Sequence, residues 1–380
     1  MAPETLHAVY LDYNATAPIR PEAAEALSAA LALSGNPSSV HRFGREARRL
    51  IEEAREAVAA LAGAAAARVV FTSGGTEANN LALRGAGLER TFVSAGEHPS
   101  VLDAVPSARR VALCSDGRID LDALDSALGK GTGRALVSVM LANNETGVIQ
   151  PLRAVAELAH ERGALLHCDA VQAAGKVPLD MAELGIDLMS LSAHKLGGPA
   201  GVGALLLGEG VTIAPLLRGG GQERRQRAGT ENLPGIAGFG AAATAAAERL
   251  LEEAPRLGAL RDRLEAGVKA LAPSAEIFGA AVPRLPNTVC LTMPGVPAET
   301  QVMALDLAGV AVSAGSACSS GKVEASHVLR AMGVSDERAA TAIRVSLGWR
   351  STAEDVERFL AAWARLYARK ASGREAPDAA

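Results

Sequence analysis

The feature that most constrains the fold is an alternation between short apolar runs and helix-like segments through the first half of the chain. Segments with helical periodicity, such as residues 46–61 and 152–162, accompany runs that are short enough to be strands. The apolar runs that predict buried strands are residues 68–72, 91–94, 135–141, 165–168, 188–191 and 203–207. This alternation is typical of βαβ units, so we expect an α/β fold with a largely parallel sheet covered by helices.

The pattern changes in the second half of the chain. An Ala-rich helix over residues 236–253 is expected to stop at Pro255, with a second helix over residues 257–271. Strands near 287–292 and 310–313 and further helices then predict a smaller α+β domain. The length of 380 residues fits two domains. We predict a large domain over residues 16–254 and a small domain made of residues 1–15 and 255–380.

Composition excludes several classes of protein. The net charge of −4 disfavours nucleic acid and anionic membranes as partners. No uncharged stretch exceeds about 16 residues, which is too short to span a bilayer, and we expect no signal peptide. The four cysteines are far apart and form no CxxC pair, so we expect neither a zinc site nor disulfides. We therefore predict a cytoplasmic enzyme without an intrinsic metal.

Three weak signals together indicate a cofactor site. Lys195 and Asp169 each follow an apolar strand, where open α/β sheets bind ligands. Such a lysine can bind an aldehyde covalently, and such an aspartate can pair with the ring nitrogen of pyridoxal 5′-phosphate (PLP). The Gly74-Gly75-Thr76 turn opens a helix that could hold a phosphate. Taken alone, the lysine could be a surface charge, the aspartate a helix cap and the glycines a simple turn.

A second informative segment surrounds Cys318. The small residues of SAGSACSSG (residues 313–321) predict an exposed loop that could present a reactive thiolate. Cys114, Cys168 and Cys290 are better explained as small buried residues in strands or at a strand end. Residues 315–322 resemble a P-loop but have the wrong glycine spacing, and no GxGxxG follows the first strand. Both of those phosphate-binding alternatives are therefore rejected.

Motifs along almost the whole chain resemble those of cysteine desulfurases of the NifS/IscS type, which are class V aminotransferase-like PLP enzymes. The matching stretches are YLDYNATAP (10–18), GNPSSVHRFGR (35–45), FTSGGTEANN (71–80), EHPSV (97–101), LANNETGVIQP (141–151), HCDAVQAAGK (167–176), SAHKLGGP (192–199), GGGQERRQRAGTEN (219–232), SAGSACSS (313–320), SHVLRAMG (326–333) and IRVSLG (343–348). The resemblance implies the fold type I PLP-dependent transferase architecture of aspartate aminotransferase. Its large domain has a mostly parallel seven-stranded sheet, and its smaller α+β domain carries the cysteine loop.

The resemblance also implies how PLP is bound. Lys195 would carry the cofactor and move protons, Asp169 would hold its ring nitrogen, and Gln172 its ring hydroxyl. His98 would stack on the ring and assist proton transfer. The remaining implied cofactor contacts are Gly75, Thr76, Ser192 and His194 at the phosphate, Asn144 beside the ring, and Thr230 at the phosphate of a neighbouring subunit. The position of Thr230 implies a homodimer with shared active sites.

The implied reaction removes sulfur from L-cysteine to give L-alanine and a persulfide on Cys318. Arg344 and Asn144 would contact the substrate, with Arg344 binding its carboxylate. The catalytic residues would be Cys318, Lys195 and His98. The sulfur would pass to an acceptor such as an iron–sulfur scaffold protein, and Cys318 is a candidate transient ligand of an iron–sulfur cluster.

Three alternatives to this reaction stay open. A selenocysteine lyase would use nearly the same residues in nearly the same roles. Another class V enzyme such as an aminotransferase would not need the cysteine loop. A scaffold protein that has lost catalysis would show changes at Lys195, Asp169 or Cys318, and the sequence keeps all three. The acceptor is also open, since iron–sulfur assembly, nitrogenase maturation and tRNA thiolation all fit.

Overall fold

The computed structural model describes residues 8–314 and 326–373, of which residues 371–373 are described by their backbone alone. A pair of short strands and two larger sheets organise the chain. In chain order the strands are β1 Val9–Tyr10, β2 Val69–Thr72, β3 Arg90–Ser94, β4 Arg109–Val111, β5 Ala135–Ser138, β6 Ala164–Asp169, β7 Leu188–Ser192, β8 Gly203–Leu207, β9 Thr288–Thr292, β10 Val310–Ala311, β11 Ser313–Ala314 and β12 Ala342–Ser346. The α-helices are α1 Pro21–Leu31, α2 Arg42–Leu61, α3 Gly75–Gly85, α4 Pro99–Leu102, α5 Leu121–Leu128, α6 Leu152–Glu161, α7 Leu233–Leu271, α8 Ala298–Leu307, α9 His327–Ala331, α10 Asp336–Ala339 and α11 Ala353–Gly373.

Seven strands form one large sheet in the order β2-β8-β7-β6-β5-β3-β4. All neighbours in this sheet are parallel except β8, which runs antiparallel to both β2 and β7. The predicted mostly parallel seven-stranded sheet is therefore confirmed. Each of the six apolar runs becomes a strand, with ends shifted by up to three residues.

Strand β4 was not among the predicted apolar runs; the sequence implied only a strand ending at Cys114, whereas β4 ends at Val111. It lies at the edge of the sheet and begins with two exposed arginines, Arg109 and Arg110, before the buried Val111. An edge strand needs only part of its surface to be apolar, so it lacks the continuous apolar run that marks the interior strands.

Helix α7 runs without a break through Pro255, so the predicted stop at this residue was wrong. The first half of the helix packs on α1 and α2, and the second half packs on α11. Ala242 and Ala243 enter the core beside the large sheet, whereas Leu264 and Val268 enter the core beside the small sheet. Packing on both sides of Pro255 outweighs the loss of one hydrogen-bond donor within the helix. The domain boundary at residues 254 and 255 stays a prediction.

The small sheet has the order β11-β12-β9 and is antiparallel. The predicted strand at residues 310–313 is divided, because β10 pairs with β1 while β11 pairs with β12. This arrangement sets Ser313 directly opposite Arg344. Among residues 8–314 and 326–373, no helix has both the length and the apolar content needed to cross a membrane.

Candidate active site

A cavity of about 560 Å³ lies where the carboxyl ends of β6 and β7 meet the start of α3 and the small sheet. Ten of the twelve predicted site residues line it: Gly75, Thr76, His98, Asn144, Asp169, Gln172, Ser192, His194, Lys195 and Arg344. Thr230 is exposed and does not line the cavity. Cys318 lies outside the described residues, although Ser313, shortly before it, also lines the cavity.

Lys195 ends a short 3-10 turn that follows β7. Its Nζ donates to the backbone oxygens of Asn14 at 2.6 Å and Ala15 at 2.8 Å. Burial, followed by the positive charge of Arg344, lowers the pKa of Lys195 to about 8. A larger fraction of this amine is therefore unprotonated near neutral pH than for an exposed lysine, as a nucleophilic amine requires.

Asp169 is the last residue of β6 and is buried. Its Oδ2 accepts a hydrogen bond of 2.7 Å from Nδ2 of Asn79 on α3, and its Oδ1 accepts one of 3.0 Å from the backbone N–H of Val171. Two donors to one carboxylate fix its orientation. Asp169 is thus arranged to pair with a protonated ring nitrogen.

His98 caps α4, and its Nδ1 accepts a hydrogen bond of 3.1 Å from the backbone N–H of Ser100. Burial lowers the pKa of His98. The ring is therefore neutral at pH 7, and the contact at Nδ1 assigns its proton to Nε2. Oγ of Ser100 also accepts from Asn79 at 2.9 Å, so His98 and Asp169 are connected through one asparagine.

The start of α3 forms a cradle for a phosphate. The first hydrogen bond of this turn joins the N–H of Ala78 to the oxygen of Gly74, so the N–H groups of residues 75–77 precede it and have no carbonyl partner within the helix. A Cβ on Gly75 would lie 3.0 Å from Cγ2 of Val171 and 3.4 Å from Cβ of Ser192. The absence of a side chain at Gly75 keeps the N–H groups accessible, as an anion site requires.

His194 lines the cavity and is the second element predicted to contact the phosphate. Its Nδ1 lies 3.2 Å from Oγ1 of Thr16. Burial, followed by the charge of Lys195, lowers the pKa of His194 to about 4. The ring is therefore neutral at pH 7 and can donate a hydrogen bond to an anion without adding charge. These features fit PLP, since an amine, a carboxylate and a phosphate cradle face one cavity.

Arg344 approaches the cavity from β12. Its guanidinium contacts Oδ1 of Asp12 at 2.7 Å and the backbone oxygen of Asn144 at 3.1 Å. Its buried Nε has no hydrogen-bond partner among the described residues. Asp12 and Asn144 fix the guanidinium while leaving donor capacity, as recognition of a substrate carboxylate requires.

Sequence reasoning missed two buried carboxyls, one lining the cavity (Glu145) and one next to its residue Met140 (Glu97). Oε2 of Glu145 accepts a hydrogen bond of 2.5 Å from Ser326, and burial raises the pKa of Glu145 to about 7. Burial also raises the pKa of Glu97, whose Oε1 accepts from the N–H of Met140. Both residues lie within quoted motifs, EHPSV and LANNETGVIQP, but a glutamate in a motif does not reveal that its carboxyl is buried.

Further cavity residues were also missed. These are Asp12, Asn14, Asn79, Ser100 and His327. Each lies inside a quoted motif, and that is the only signal the sequence offers for them. Their contacts to Lys195, Asp169, Arg344 and Glu97 depend on residues that are far apart in the chain.

The cysteines differ partly from expectation. Cys168 and Cys290 are buried, as predicted, and burial raises the pKa of each thiol. Cys114 is exposed, so its assignment as a buried residue was wrong. It follows the isolated bridge residue Leu113 and begins a turn closed by the N–H of Gly117, which directs it outward. In the part of the chain that the structure describes, no three His, Cys, Asp or Glu residues form a metal-ligand group.

Comparison with known proteins agrees with this site. The aminotransferase class-V family pattern matches residues 9–359. The cysteine desulfurase of Cereibacter sphaeroides is 47% identical over 367 residues, which cover 93% of this chain and 94% of that protein. The structure of a NifS-like protein from Rickettsia africae ESF-5 superposes with a TM-score of 0.89 at 35% identity, covering 95% of this chain and 100% of that one.

A third similarity concerns a structure described as SspA in complex with cysteine. It is 29% identical, with a TM-score of 0.78, and covers 89% of this chain and 98% of that chain. The long extent of the family match and the high identity to a curated relative agree with the geometry of the cavity. The chain therefore belongs to the class-V aminotransferase family, among its PLP-dependent cysteine desulfurases.

Proposed function

We propose that this chain converts L-cysteine to L-alanine and receives the sulfur on Cys318 as a persulfide. The observation that carries the proposal is the convergence of Lys195, Asp169 and Arg344 on one cavity. An amine, a carboxylate and a guanidinium in that arrangement suit a PLP-dependent reaction of an α-amino acid. The alternative substrate, selenocysteine, is an outcome that the experiment below distinguishes.

The roles of the residues follow from their contacts. PLP, when bound, withdraws electrons from Cα of the substrate. Lys195 binds the cofactor and, as an amine, moves the proton at Cα. Asp169 keeps the ring nitrogen protonated, and Gln172 donates to the ring hydroxyl. Arg344 binds the substrate carboxylate and orients Cβ and its sulfur toward the small-sheet side of the cavity.

The sulfur step balances without a further oxidant. The thiolate of Cys318 attacks the sulfur of the substrate, so an S–S bond forms as the Cβ–S bond breaks. The electron pair of the broken bond stays with Cβ of the substrate, which takes up a proton. The product then leaves as L-alanine. His98, with its proton assigned to Nε2, is a suitable donor on the cofactor side of the cavity.

We assign the downstream steps to the same proposal. The persulfide passes to a sulfur-acceptor protein such as an iron–sulfur scaffold, in the cytoplasm, where reducing conditions keep the Cys318 thiol available.

A second copy of the chain completes each site through Thr230, whose exposure in one subunit supports a contact with another. Mixing a Lys195→Ala variant with a Thr230→Ala variant tests this, since mixed dimers are expected to contain one intact site and regain activity.

The main experiment measures alanine and sulfide formed from L-cysteine by the PLP-loaded enzyme with a reductant. Wild type should form both products in equal amounts. Cys318→Ala should lose both while keeping the PLP absorbance, whereas the matched variant Cys114→Ala should behave like wild type. A wild type that binds PLP but makes alanine only from selenocysteine would overturn the proposal in favour of a selenocysteine lyase.

A further inference from the structure

A second lysine, Lys176, is buried next to the active site and has no part in the mechanism above. It is 9% exposed. Its Nζ donates to Oε1 of Gln172 at 2.9 Å and to Oδ1 of Asn14 at 3.2 Å. Within residues 8–314 and 326–373, no carboxylate forms an ion pair with it. A buried amine without a counter-charge is costly, so its presence here calls for a specific role.

The electrostatics of the surroundings oppose a charge at Lys176. Burial lowers the pKa of Lys176 to about 7, and the positive charges of Lys195 and Arg344 add to this effect. Both partners of the amine are amide oxygens, which accept hydrogen bonds from either the charged or the neutral form. The two contacts can therefore persist on both sides of neutral pH.

The contact to Gln172 fixes which way its carboxamide faces. Lys176 donates to Oε1 while the backbone oxygen of Asn14, which can only accept, lies at Nε2, so a 180° rotation would lose the lysine contact and set two oxygens against each other. Nε2 of Gln172 then donates to the backbone oxygen of Asn14 at 2.9 Å. The same oxygen accepts from Nζ of Lys195 at 2.6 Å. Lys176, Gln172, Asn14 and Lys195 thus form one hydrogen-bonded chain.

The contact to Asn14 fixes a second amide in the same way. Its Oδ1 also accepts from Nδ2 of Asn287 at 3.1 Å, so both donors lie on the oxygen side. Its Nδ2 donates to the oxygen of Asn144 at 3.2 Å and to Oγ1 of Thr288 at 2.9 Å. Asn14 is 1% exposed, so every one of these partners is needed to satisfy it. This second amide holds the backbone carbonyl that Gln172 and Lys195 share.

We propose that Lys176 is a positioning residue that orients the Gln172 carboxamide so that an N–H group, and not the oxygen, faces the cofactor. The nitrogen of Gln172 carries two hydrogens, and the oxygen of Asn14 takes one of them. The second is available to the cavity that Gln172 lines. A donor at this position stabilises the ionised ring oxygen of PLP. The inference rests on the proposed function, because it concerns the bound cofactor.

The visible absorbance of the PLP-loaded enzyme without substrate tests this role. The pH at which the absorbance change is half complete (the midpoint) measures the proton affinity of the nitrogen that joins Lys195 to the cofactor. Lys176→Met keeps the apolar length of the side chain but removes the hydrogen bonds to Gln172 and Asn14. Losing the ordered N–H of Gln172 destabilises the ionised ring oxygen, so we expect the midpoint to rise by about 0.5 pH unit or more, a threefold change in proton affinity. The exposed Lys130→Met is the matched control and should leave the midpoint unchanged.

A double-variant cycle separates positioning from other effects of Lys176. If Lys176 acts through Gln172, its replacement should shift the midpoint less than half as much in a Gln172→Leu background. A full shift in that background would show a direct effect of charge and overturn the inference. A Lys176→Met enzyme with an unchanged midpoint would overturn it as well.

Three outcomes separate the role of Lys176 from a failure to fold and from a failure of the proposed function. If Lys176→Met does not fold, Lys176→Gln, which keeps a donor on a shorter side chain, should show a smaller shift in the same direction, and no shift would overturn the inference. A wild type that binds no PLP would refute the proposed function. A wild type with a normal cofactor band that Lys176→Met leaves unaltered would refute only the role of Lys176.

Discussion

Asn79 donates a hydrogen bond of 2.7 Å to Oδ2 of Asp169, and the same amide nitrogen donates to Ser100 at 2.9 Å. One side chain on α3 therefore fixes the carboxylate proposed for the cofactor ring and the serine that contacts His98. Asn79 is 1% exposed, so water cannot replace these contacts without rearrangement. Gly75, the first residue of α3, borders the phosphate cradle. The same helix therefore contributes to both the phosphate end and the ring-nitrogen end of the proposed cofactor site.

Asn79→Ala is expected to weaken PLP binding. A hydrogen bond to a charged group contributes about 1.5–3 kcal/mol, which corresponds to roughly a 10- to 150-fold higher dissociation constant. Titration of the apoprotein with PLP, followed by absorbance, measures this constant. Asn36→Ala, an exposed position, is the matched control and should bind PLP like wild type. Equal affinities for the two variants would show that Asp169 does not depend on Asn79.

The pKa of Lys195 predicts how fast the apoprotein takes up PLP at different pH values. Burial lowers this pKa to about 8, and only the unprotonated amine reacts with the aldehyde. The rate should therefore rise about tenfold from pH 6 to pH 7 and level off above about pH 8. An exposed lysine would instead give a rate that keeps rising toward pH 10.

Stopped-flow absorbance measures this pH profile. Ionisation of the phosphate of PLP also changes near pH 6, so the profile is repeated with pyridoxal, which lacks the phosphate. A plateau at the same pH with both aldehydes assigns the ionisation to the protein. A plateau that appears with PLP alone would contradict the assignment to Lys195.

Much of this architecture follows from local sequence patterns. The continuous apolar runs predicted the interior strands because those strands are buried on both faces, as β6 and β7 are. The edge strand β4 is absent from the predicted apolar runs, and its end was placed at Cys114 instead of Val111, because Arg109 and Arg110 do not need to be buried. Pro255 was misread because tertiary packing on both halves of α7 keeps that helix continuous.

Without the family motifs, the site was predictable only where the chemistry depends on single reactive residues; the motifs supplied the other predicted residues. Lys195 and Asp169 follow strands, and that position alone marks them as candidates. Asn14 gives no such signal, since its importance comes from contacts with Lys176, Gln172 and Asn287, up to 273 residues away. Such a residue acts through long-range hydrogen bonds, which periodicity and spacing do not encode.

Arg344→Ala is expected to raise KM for L-cysteine with less effect on PLP affinity. The variant removes the guanidinium held by Asp12 and Asn144, which we propose binds the substrate carboxylate. Loss of a bidentate, charge-assisted pair should lower kcat/KM by about 100-fold. Arg344→Lys should recover only part of this loss, because an ammonium cannot reproduce the planar contact.

The matched control for Arg344 is Arg338→Ala. Arg338 is an exposed arginine that forms an ion pair with Glu276 away from the cavity. Its loss should leave kcat/KM unchanged, since exposed ion pairs contribute little. Steady-state kinetics of both variants with fully PLP-loaded enzyme decide the question. A normal KM in Arg344→Ala would exclude this arginine from substrate binding.

Gly75→Ala is expected to weaken PLP binding through the phosphate cradle. The added Cβ would lie 3.0 Å from Val171 and 3.4 Å from Ser192, which crowds the first turn of α3 where the phosphate is proposed to bind. We expect the PLP dissociation constant to rise at least about tenfold, or about 1.4 kcal/mol. Gly258→Ala is the control, since its Cβ would lie 3.9 Å from Pro286 and alanine favours a helix interior. Equal PLP affinities in the two variants would place the phosphate elsewhere.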